Sequence, residues 1–273
     1  SEKIIRAFST SDGKIIAIGN FTVHRMTDYD NTTCDANKRL LAAEILTPAR
    51  SVMRMDEIGQ LDKTYRRSLQ NEEESLPGTT GEIKDACMLS DESLIIVGAF
   101  TSFDGKPVWN IVKLDKNGQV DDAFQSVVGG ANGDINRITC TSFKDENGME
   151  QERIVLVGSF TTFNGQPAQG MVILDAEGNP VLVLLKSDGG VITDETEPIR
   201  LETDDAVTFR ARTGQDGAKV TFSYRQNGVW NTVKEDCTTE ILTDEHCRGF
   251  TGAHFGMYVH DMTGLALHAD FEW

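Results

Sequence analysis

Residues that could perform acid–base chemistry are numerous in this sequence, but few of them form a pattern. The chain of 273 residues holds 43 Asp and Glu against 26 Lys and Arg. Three aspartates recur at a fixed spacing, since Asp56, Asp115 and Asp175 lie 59 and 60 residues apart, each three residues before a glycine. An aspartate at such a position is typical of a turn in which the side chain bonds its own backbone. We therefore predict that these residues form turns, and the sequence identifies no catalytic residue.

Histidines are the next candidates, because four of the five lie within the last 30 residues. His254 and His260 fall in one predicted hairpin and could face the same side of it. A metal site there competes with the simpler interpretation that these are exposed histidines of a β-sheet. No cysteine pattern accompanies them.

The cysteines form no C-x-x-C pair, so zinc and redox motifs are not indicated. The five cysteines are Cys34, Cys87, Cys140, Cys237 and Cys247. They allow at most two disulfides. Cys237 and Cys247 could pair in an oxidising compartment, and buried free thiols are the alternative.

Aromatic side chains are the candidates for binding a ligand by stacking on a sugar ring. They are Trp109, Trp230, Tyr258 and Trp273, with Tyr224 as a further aromatic of the same region. An aromatic residue on a strand also serves as a core residue, so each has a structural alternative.

Several functional classes are excluded by composition and motif. The net charge of −17 would repel a phosphate backbone, and no Lys/Arg cluster is present, so we expect no nucleic-acid partner. No run approaches the roughly 18 apolar residues of a membrane span. Residues 1–5 lack the basic and apolar regions of a signal peptide. Phosphate-binding, nucleophile-elbow and HExxH motifs are also missing.

An internal repeat organises the first two thirds of the chain. LIIVGAFTSFDG at 94–105 recurs as IVLVGSFTTFNG at 154–165 and, more weakly, as KIIAIGNFT at 14–22. A second element, IVKLDKNG at 111–118, recurs at 171–178 and at 52–59. The first copy carries about 20 extra residues around 27–48. Sequence self-similarity at such a period is typical of stacked repeat units.

Each element of the repeat has a physical interpretation. The apolar runs 94–97 and 154–157 predict strands buried on both faces, and the following glycine allows close backbone approach. The Asp-Gly and Asn-Gly pairs predict tight hairpins, so each copy forms a four-stranded unit that must stack on its neighbours. Within the insertion, residues 35–46 have helix-forming composition with Asp35 as N-cap, which predicts one short surface helix.

The pattern GxFTxF[DN]G followed by LDxxGx[LV]DxxF resembles the delta-60-type β-propeller repeats of bacterial surface and secreted proteins. The resemblance implies three units, near 4–70, 83–130 and 135–185, with the third departing from the pattern at 180–184. Propellers close with about 4–8 blades. Three units therefore imply an incomplete ring, an arc or part of a larger whole, and a partner chain or a missing segment could complete the propeller.

The last part of the chain has a different sequence pattern. Period-two alternation at 206–212, 218–224, 230–233 and 255–259 predicts antiparallel strands of a β-sandwich. The stretches 249–264 (GFTGAHFGMYVHDMTG) and 268–273 (HADFEW) resemble the end of the concanavalin-like domain that follows the catalytic propeller in family-43 glycoside hydrolases, the β-xylosidases and arabinofuranosidases. This resemblance implies Asp270 as a calcium ligand and carbohydrate as the partner. None of that family's catalytic motifs is found.

The sequence thus predicts an all-β protein with propeller-type repeats at 1–186 and a concanavalin-like β-sandwich segment at 187–273. Both resemblances imply an extracellular or cell-surface location. The leading hypothesis is a non-catalytic, carbohydrate-associated protein. Its alternatives are an accessory part of a family-43 hydrolase acting on xylan- or arabinan-type glycans, and a structural or adhesive surface protein.

Overall fold

The computed structural model describes residues 2–68, 71, 74–144, 148–188, 191–201, 207–215 and 217–243. Antiparallel strands in several small sheets make up most of this part of the chain, together with one short α-helix and one 3-10 turn. The predicted all-β fold class is confirmed.

Three consecutive stretches of chain repeat one arrangement of strands. The first unit contains β1 (Lys3–Ser9), β2 (Ile15–Asn20), β3 (Val23–Cys34), β4 (Leu40–Pro48) and β5 (Val52–Met55). The second contains β6 (Glu82–Met88), β7 (Leu94–Ala99), β8 (Ser102–Phe103), β9 (Lys106–Pro107) and β10 (Ile111–Leu114), and is followed by α1 (Asp122–Val127). The third contains β11 (Ile135–Lys144), β12 (Glu150–Gly158), β13 (Thr162–Phe163), β14 (Gln166–Pro167) and β15 (Met171–Asp175).

The strand order is the same in all three units. The sheets are β1-β2-β5, β6-β7-β10 and β11-β12-β15, each antiparallel with the second strand in the middle. A separate hairpin, β3–β4, β8–β9 or β13–β14, accompanies each sheet. The strand predicted after the second turn of each unit, which would be the fourth of the sheet, is reduced to a single β-bridge. These bridges join Met55 to Leu61, Leu114 to Val120, and Leu174 to Pro180.

The middle strand of the second unit, β7, is apolar at every position from 94 to 97 because each of its two faces packs against a different neighbouring unit. Leu94 and Ile96 belong to a buried cluster shared with the first unit, whereas Ile95 and Val97 belong to a cluster shared with the third. All four side chains are fully buried. The units therefore stack face to face, as predicted for strands buried on both faces.

The glycine and aspartate positions of the repeat behave as predicted. A Cβ atom on Gly98 would lie 2.0 Å from the carbonyl oxygen of Glu82, so only glycine allows this approach of the two strands. Asp115 Oδ1 accepts the backbone N–H groups of Asn117 and Gln119, both at 2.9 Å. Asp56 and Asp175 make the corresponding bonds in their own units, which confirms their role in turns: Asp56 to Ile58 and Gln60, and Asp175 to Glu177 and Asn179.

The helix predicted at 35–46 is wrong, because the insertion in the first unit is the long hairpin β3–β4. Asp35 does not cap a helix. Its Oδ1 accepts the N–H groups of Asn37 and Arg39 at 2.8 and 2.9 Å, and Lys38 has φ 60°, so these residues close the hairpin turn. Helix propensity is a weak preference, and pairing with β3 outweighs it here.

A strap follows each of the first two units, at residues 61–67 and 120–128, and carries an aromatic side chain onto the next unit. Tyr65 is 3% exposed and Phe124 2%. Each aromatic ring lies against the turn glycine of the unit that follows. A Cβ atom on Gly118 would lie 2.6 Å from Tyr65 Cζ, and one on Gly178 would lie 2.9 Å from Phe124 Cε2.

Hydrogen bonds and ion pairs hold the first strap in place. Burial alone would raise the pKa of Asp62, but hydrogen bonds from Thr64 and Lys14 and the charge of Arg54 lower it well below its usual range. The guanidinium of Arg66 then binds both carboxylate oxygens of Asp104, at 2.9 and 2.7 Å. The first strap is thereby bonded to both units that it joins.

The C-terminal segment begins with two small two-stranded sheets, a hairpin and a pair of strands that encloses it, and continues with one three-stranded sheet. Its strands are β16 (Val181–Leu182), β17 (Leu185–Asp188), β18 (Val191–Asp194), β19 (Ile199–Arg200), β20 (Thr208–Thr213), β21 (Lys219–Gln226) and β22 (Val229–Thr238). The strands β20, β21 and β22 form an antiparallel sheet, as three of the predicted strand segments require. The fourth, at 255–259, lies outside the described residues.

Candidate functional site

A cavity of about 750 Å³ lies where the second and third units meet. Trp109 borders it and is 54% exposed. Threonine, asparagine and glycine provide most of the remaining lining: Thr80, Gly81, Thr101, Asn110, Gly129, Gly130, Asn132, Gly133, Thr162 and Gly165, with Ala99, Phe100, Ala131 and Asp134. An exposed aromatic ring beside convergent polar groups is typical of a small-molecule site.

The backbone around Trp109 is fixed by the loop that leads into the third unit. The carbonyl oxygen of Trp109 accepts the N–H of Ala131 at 3.1 Å. Gly130 has φ +85°, and a Cβ atom there would lie 2.2 Å from that same oxygen. Glycine is therefore required at this position, and the close approach holds the Trp109 backbone against the loop.

Two asparagines tie the cavity wall to both units. Asn110 Oδ1 accepts the N–H of Phe100 at 2.9 Å, and its Nδ2 donates to the carbonyl oxygens of Ala131 and Gly133, both at 3.0 Å. Asn132 Oδ1 accepts the N–H of Thr161 at 2.9 Å, with a matching bond from Thr162. The cavity wall is thus preorganised by side-chain bonds to backbone groups.

Asp134 is the one carboxylate among the described residues that line this cavity. It is 44% exposed and accepts a hydrogen bond from Lys84 Nζ at 2.6 Å, which neutralises its charge locally. Glycoside hydrolysis normally uses two carboxylates flanking the scissile bond. The lining supplies stacking and polar contacts, but not that pair.

Trp230 occupies a different environment on the C-terminal sheet. It is 39% exposed, and the guanidinium carbon of Arg210 lies 3.9 Å from its ring centroid. One face of the indole is therefore covered by a cation and is not open for stacking. Of the predicted ligand-binding residues, Trp109 borders the cavity and Trp230 lies on another sheet. Tyr258, Trp273 and the predicted metal ligand Asp270 lie outside the described residues.

The disulfide in the structure joins two other cysteines than Cys237 and Cys247, the pair considered from the sequence. Cys87 on β6 forms a disulfide with Cys140 on β11, so it joins the second unit to the third. Cys34 and Cys237 are free thiols, and burial raises the pKa of Cys237. Cys247 lies outside the described residues. The sequence feature that points to this disulfide is the presence of one cysteine in the first strand of each of two adjacent repeats.

A second cavity, of about 480 Å³, lies between the β17–β18 hairpin and the C-terminal sheet. Its walls are largely apolar and include Val220 and Phe222. Lys234 donates hydrogen bonds to the backbone and carboxylate oxygens of Glu195 at its edge, and the bond to the carboxylate lowers the pKa of Glu195. The ion pair is satisfied internally and offers no unpaired charge to a ligand.

Neither a metal cluster nor a membrane helix is found in the part of the chain that the structure describes. No group of three or more His, Cys, Asp or Glu side chains there could hold a metal ion. No helix within the same residues is long and apolar enough to cross a bilayer.

Comparison with protein families yields two matches. Residues 168–273 match the model of the β-xylosidase C-terminal concanavalin A-like domain, and residues 89–124 match a β-propeller domain of unknown function (DUF5122). The first match begins inside the third repeat, whose strand β15 still pairs with β12. No curated protein and no solved structure matches the chain. The chain is thus similar to a propeller repeat in its second unit and to a xylosidase accessory domain at its C-terminal end.

Proposed function

We propose that the chain binds a neutral glycan without cleaving it, in the cavity between the second and third repeat units. The observation that carries this proposal is the exposed indole of Trp109 beside polar, glycine-rich walls. Tryptophan combines a flat apolar face with a polar edge, which suits the faces of sugar rings. The net charge of −17 favours a neutral ligand over an anionic one.

Two further observations support a carbohydrate setting outside the cell. The C-terminal residues match a domain that accompanies β-xylosidases. The disulfide between Cys87 and Cys140 is a bond that persists in oxidising compartments. We therefore propose an exported protein, divided into repeats at 1–186 and a sandwich segment at 187–273.

The test is binding of xylo-oligosaccharides and arabino-oligosaccharides to the full chain, measured by calorimetry and by tryptophan fluorescence. Replacing Trp109 with Ala removes the stacking face, and we expect at least a tenfold loss of affinity, about 1.4 kcal/mol. Trp230→Ala is the matched control, because Arg210 already covers one face of that ring. Equal binding by wild type and the Trp109 variant would contradict the proposal.

The second candidate function is an accessory part of a family-43 glycoside hydrolase, and the match at 168–273 favours it. Turnover of a nitrophenyl xyloside or arabinoside by the purified chain would support this candidate over a non-catalytic binder. If the chain neither binds nor cleaves these glycans, a structural or adhesive role at the cell surface becomes the better proposal.

A further inference from the structure

The polar side chains around the Trp109 cavity divide into those whose hydrogen bonds are used within the protein and those with capacity to spare. The amides of Asn110 and Asn132 belong to the first group, because oxygen and nitrogen of both are bonded to neighbouring residues. Asn132 also donates from Nδ2 to the hydroxyl oxygen of Thr161 at 2.9 Å. These amides brace the wall and leave little hydrogen-bonding capacity for a ligand.

Asp134 belongs to the second group, because one of its two carboxylate oxygens has no partner among the described residues. Oδ2 accepts the hydrogen bond from Lys84 Nζ at 2.6 Å, and Oδ1 accepts none from the residues that the structure describes. The side chain lines the cavity and is 44% exposed. An ionised carboxylate only accepts hydrogen bonds, so Oδ1 requires a donor from whatever binds beside it.

Both units that form the cavity hold Asp134 in place. Lys84 lies on β6 of the second unit, and its Nζ also donates to Asn136 Oδ1 of the third unit at 2.9 Å. The carbonyl oxygen of Asp134 accepts the N–H of Ser159 at 2.9 Å. A Cβ atom on Gly158 would lie 2.1 Å from that same oxygen, so the two strands approach closely there. The acceptor is therefore preorganised, and a ligand does not have to order it.

The carboxylate at this position is not a fixed part of the repeat. Strand register places Lys3 and Glu82 at the position of Asp134 in the first and second units. Both side chains are exposed, and neither lines the cavity. Since a lysine occupies the position in one unit, the repeat does not require an acid there.

The threonines of the lining do not discriminate between donors and acceptors of a ligand. Thr80 and Thr101 are exposed, and a hydroxyl both donates and accepts. Asp134 does discriminate, because a ligand that presents an acceptor without a hydrogen would place two acceptors against each other. A site built to bond a ligand hydroxyl rejects the analogue that lacks it.

We propose that Asp134 Oδ1 accepts a hydroxyl of the ligand and makes the cavity selective for glycans whose hydroxyls are unsubstituted. This inference rests on the glycan binding proposed above and narrows the ligand class, because O-acetylated and O-methylated glycans lack the donor hydrogen. Hydrogen bonds to a charged oxygen are roughly twice as strong as those between neutral groups. Lys84 is the positioning residue, since it contacts Asp134 and does not line the cavity.

The test is calorimetric titration of the full chain with xylotetraose and with per-O-methylated xylotetraose, which keeps the sugar rings but has no hydroxyl donor. We expect the wild type to prefer the unsubstituted sugar by about tenfold or more. Asp134→Asn should abolish most of this preference. Lys84 then donates to the amide oxygen, so the amide nitrogen faces the ligand and a donor replaces the acceptor. Glu82→Gln is the matched control, because it makes the same change at the same position of the repeat, outside the cavity.

Urea denaturation of the same variants separates ligand recognition from a structural role of the ion pair. If Asp134→Asn lowers the unfolding midpoint and weakens both sugars equally, the ion pair is only structural and the inference is overturned. Equal affinity of the wild type for the two sugars would overturn it as well, while leaving glycan binding intact. If the wild type binds neither sugar, the proposed function fails and the inference fails with it. If Trp109→Ala abolishes binding but the preference survives in Asp134→Asn, only the inference fails.

Discussion

Reduction of the disulfide between Cys87 and Cys140 should destabilise the junction between the second and third units. The bond closes a loop with a sequence separation of 53, for which the chain-entropy relation gives about 4 kcal/mol at 25 °C. Cys87 is 8% exposed and lies in the apolar cluster shared by these units. A reduced cysteine packs there as a small apolar side chain, so we expect the folded state to keep its packing. The loss then arises mainly from the greater freedom of the unfolded chain.

The assay is urea denaturation with and without reductant, followed by tryptophan fluorescence and by hydrogen exchange. We expect a lower midpoint after reduction, with faster exchange in β6 and β11 than in the strands of the first unit, which no described disulfide joins to its neighbour. A variant with Cys87→Ala and Cys140→Ala serves as control and should not respond to reductant. If the oxidised and reduced wild-type proteins unfold at the same denaturant concentration, the reasoning fails.

Two further changes test the strap and the close contact of strands. Asp62→Asn removes the charge that pairs with Lys14 and Arg54, so it should cost about 1 kcal/mol near neutral pH, where the carboxylate is ionised. Because the folded-state pKa of Asp62 lies below the unfolded value, this contribution is lost as pH falls below about 4, so the two proteins should converge in acid denaturation series. Gly98→Ala should destabilise by about 2 kcal/mol or more, since its Cβ would meet backbone at 2.0 Å. Gly129→Ala, with its nearest contact at 3.6 Å, should be nearly neutral in thermal unfolding, and equal effects of both glycine variants would contradict this account.

Local rules accounted for the turns and strands of the repeat. Asp104 and Gly105 adopt φ 49° and 77°, and Asn164 and Gly165 adopt φ 50° and 76°, which are the positive values that a tight hairpin demands. These features depend on two to four adjacent residues, so they can be inferred from the sequence. The repeat also made it possible to predict that the units stack, because the strand at 94–97 has apolar residues on both faces.

Other features depend on partners that are distant in sequence. The insertion pairs with β3 although its composition favours a helix, and the choice is made by cross-strand contacts. The disulfide forms because stacking brings β6 beside β11, which no local pattern encodes. The short helix α1 was also missed, although Asp121 accepts the N–H groups of Ala123 and Phe124 as an N-cap does.

The cavity at Trp109 suggests how a functional residue can be separated from a structural one within a repeat. Residues that maintain the array recur at equivalent positions, as Gly98 and Gly158 do before the buried Phe100 and Phe160. Trp109 does not recur, because register places Arg50 and Gln169 at its position in the other units. All three side chains are exposed, so the fold does not require an aromatic ring there. Packing therefore leaves the residue type at this position free, and the tryptophan there is consistent with the ligand-binding role that we propose for the cavity.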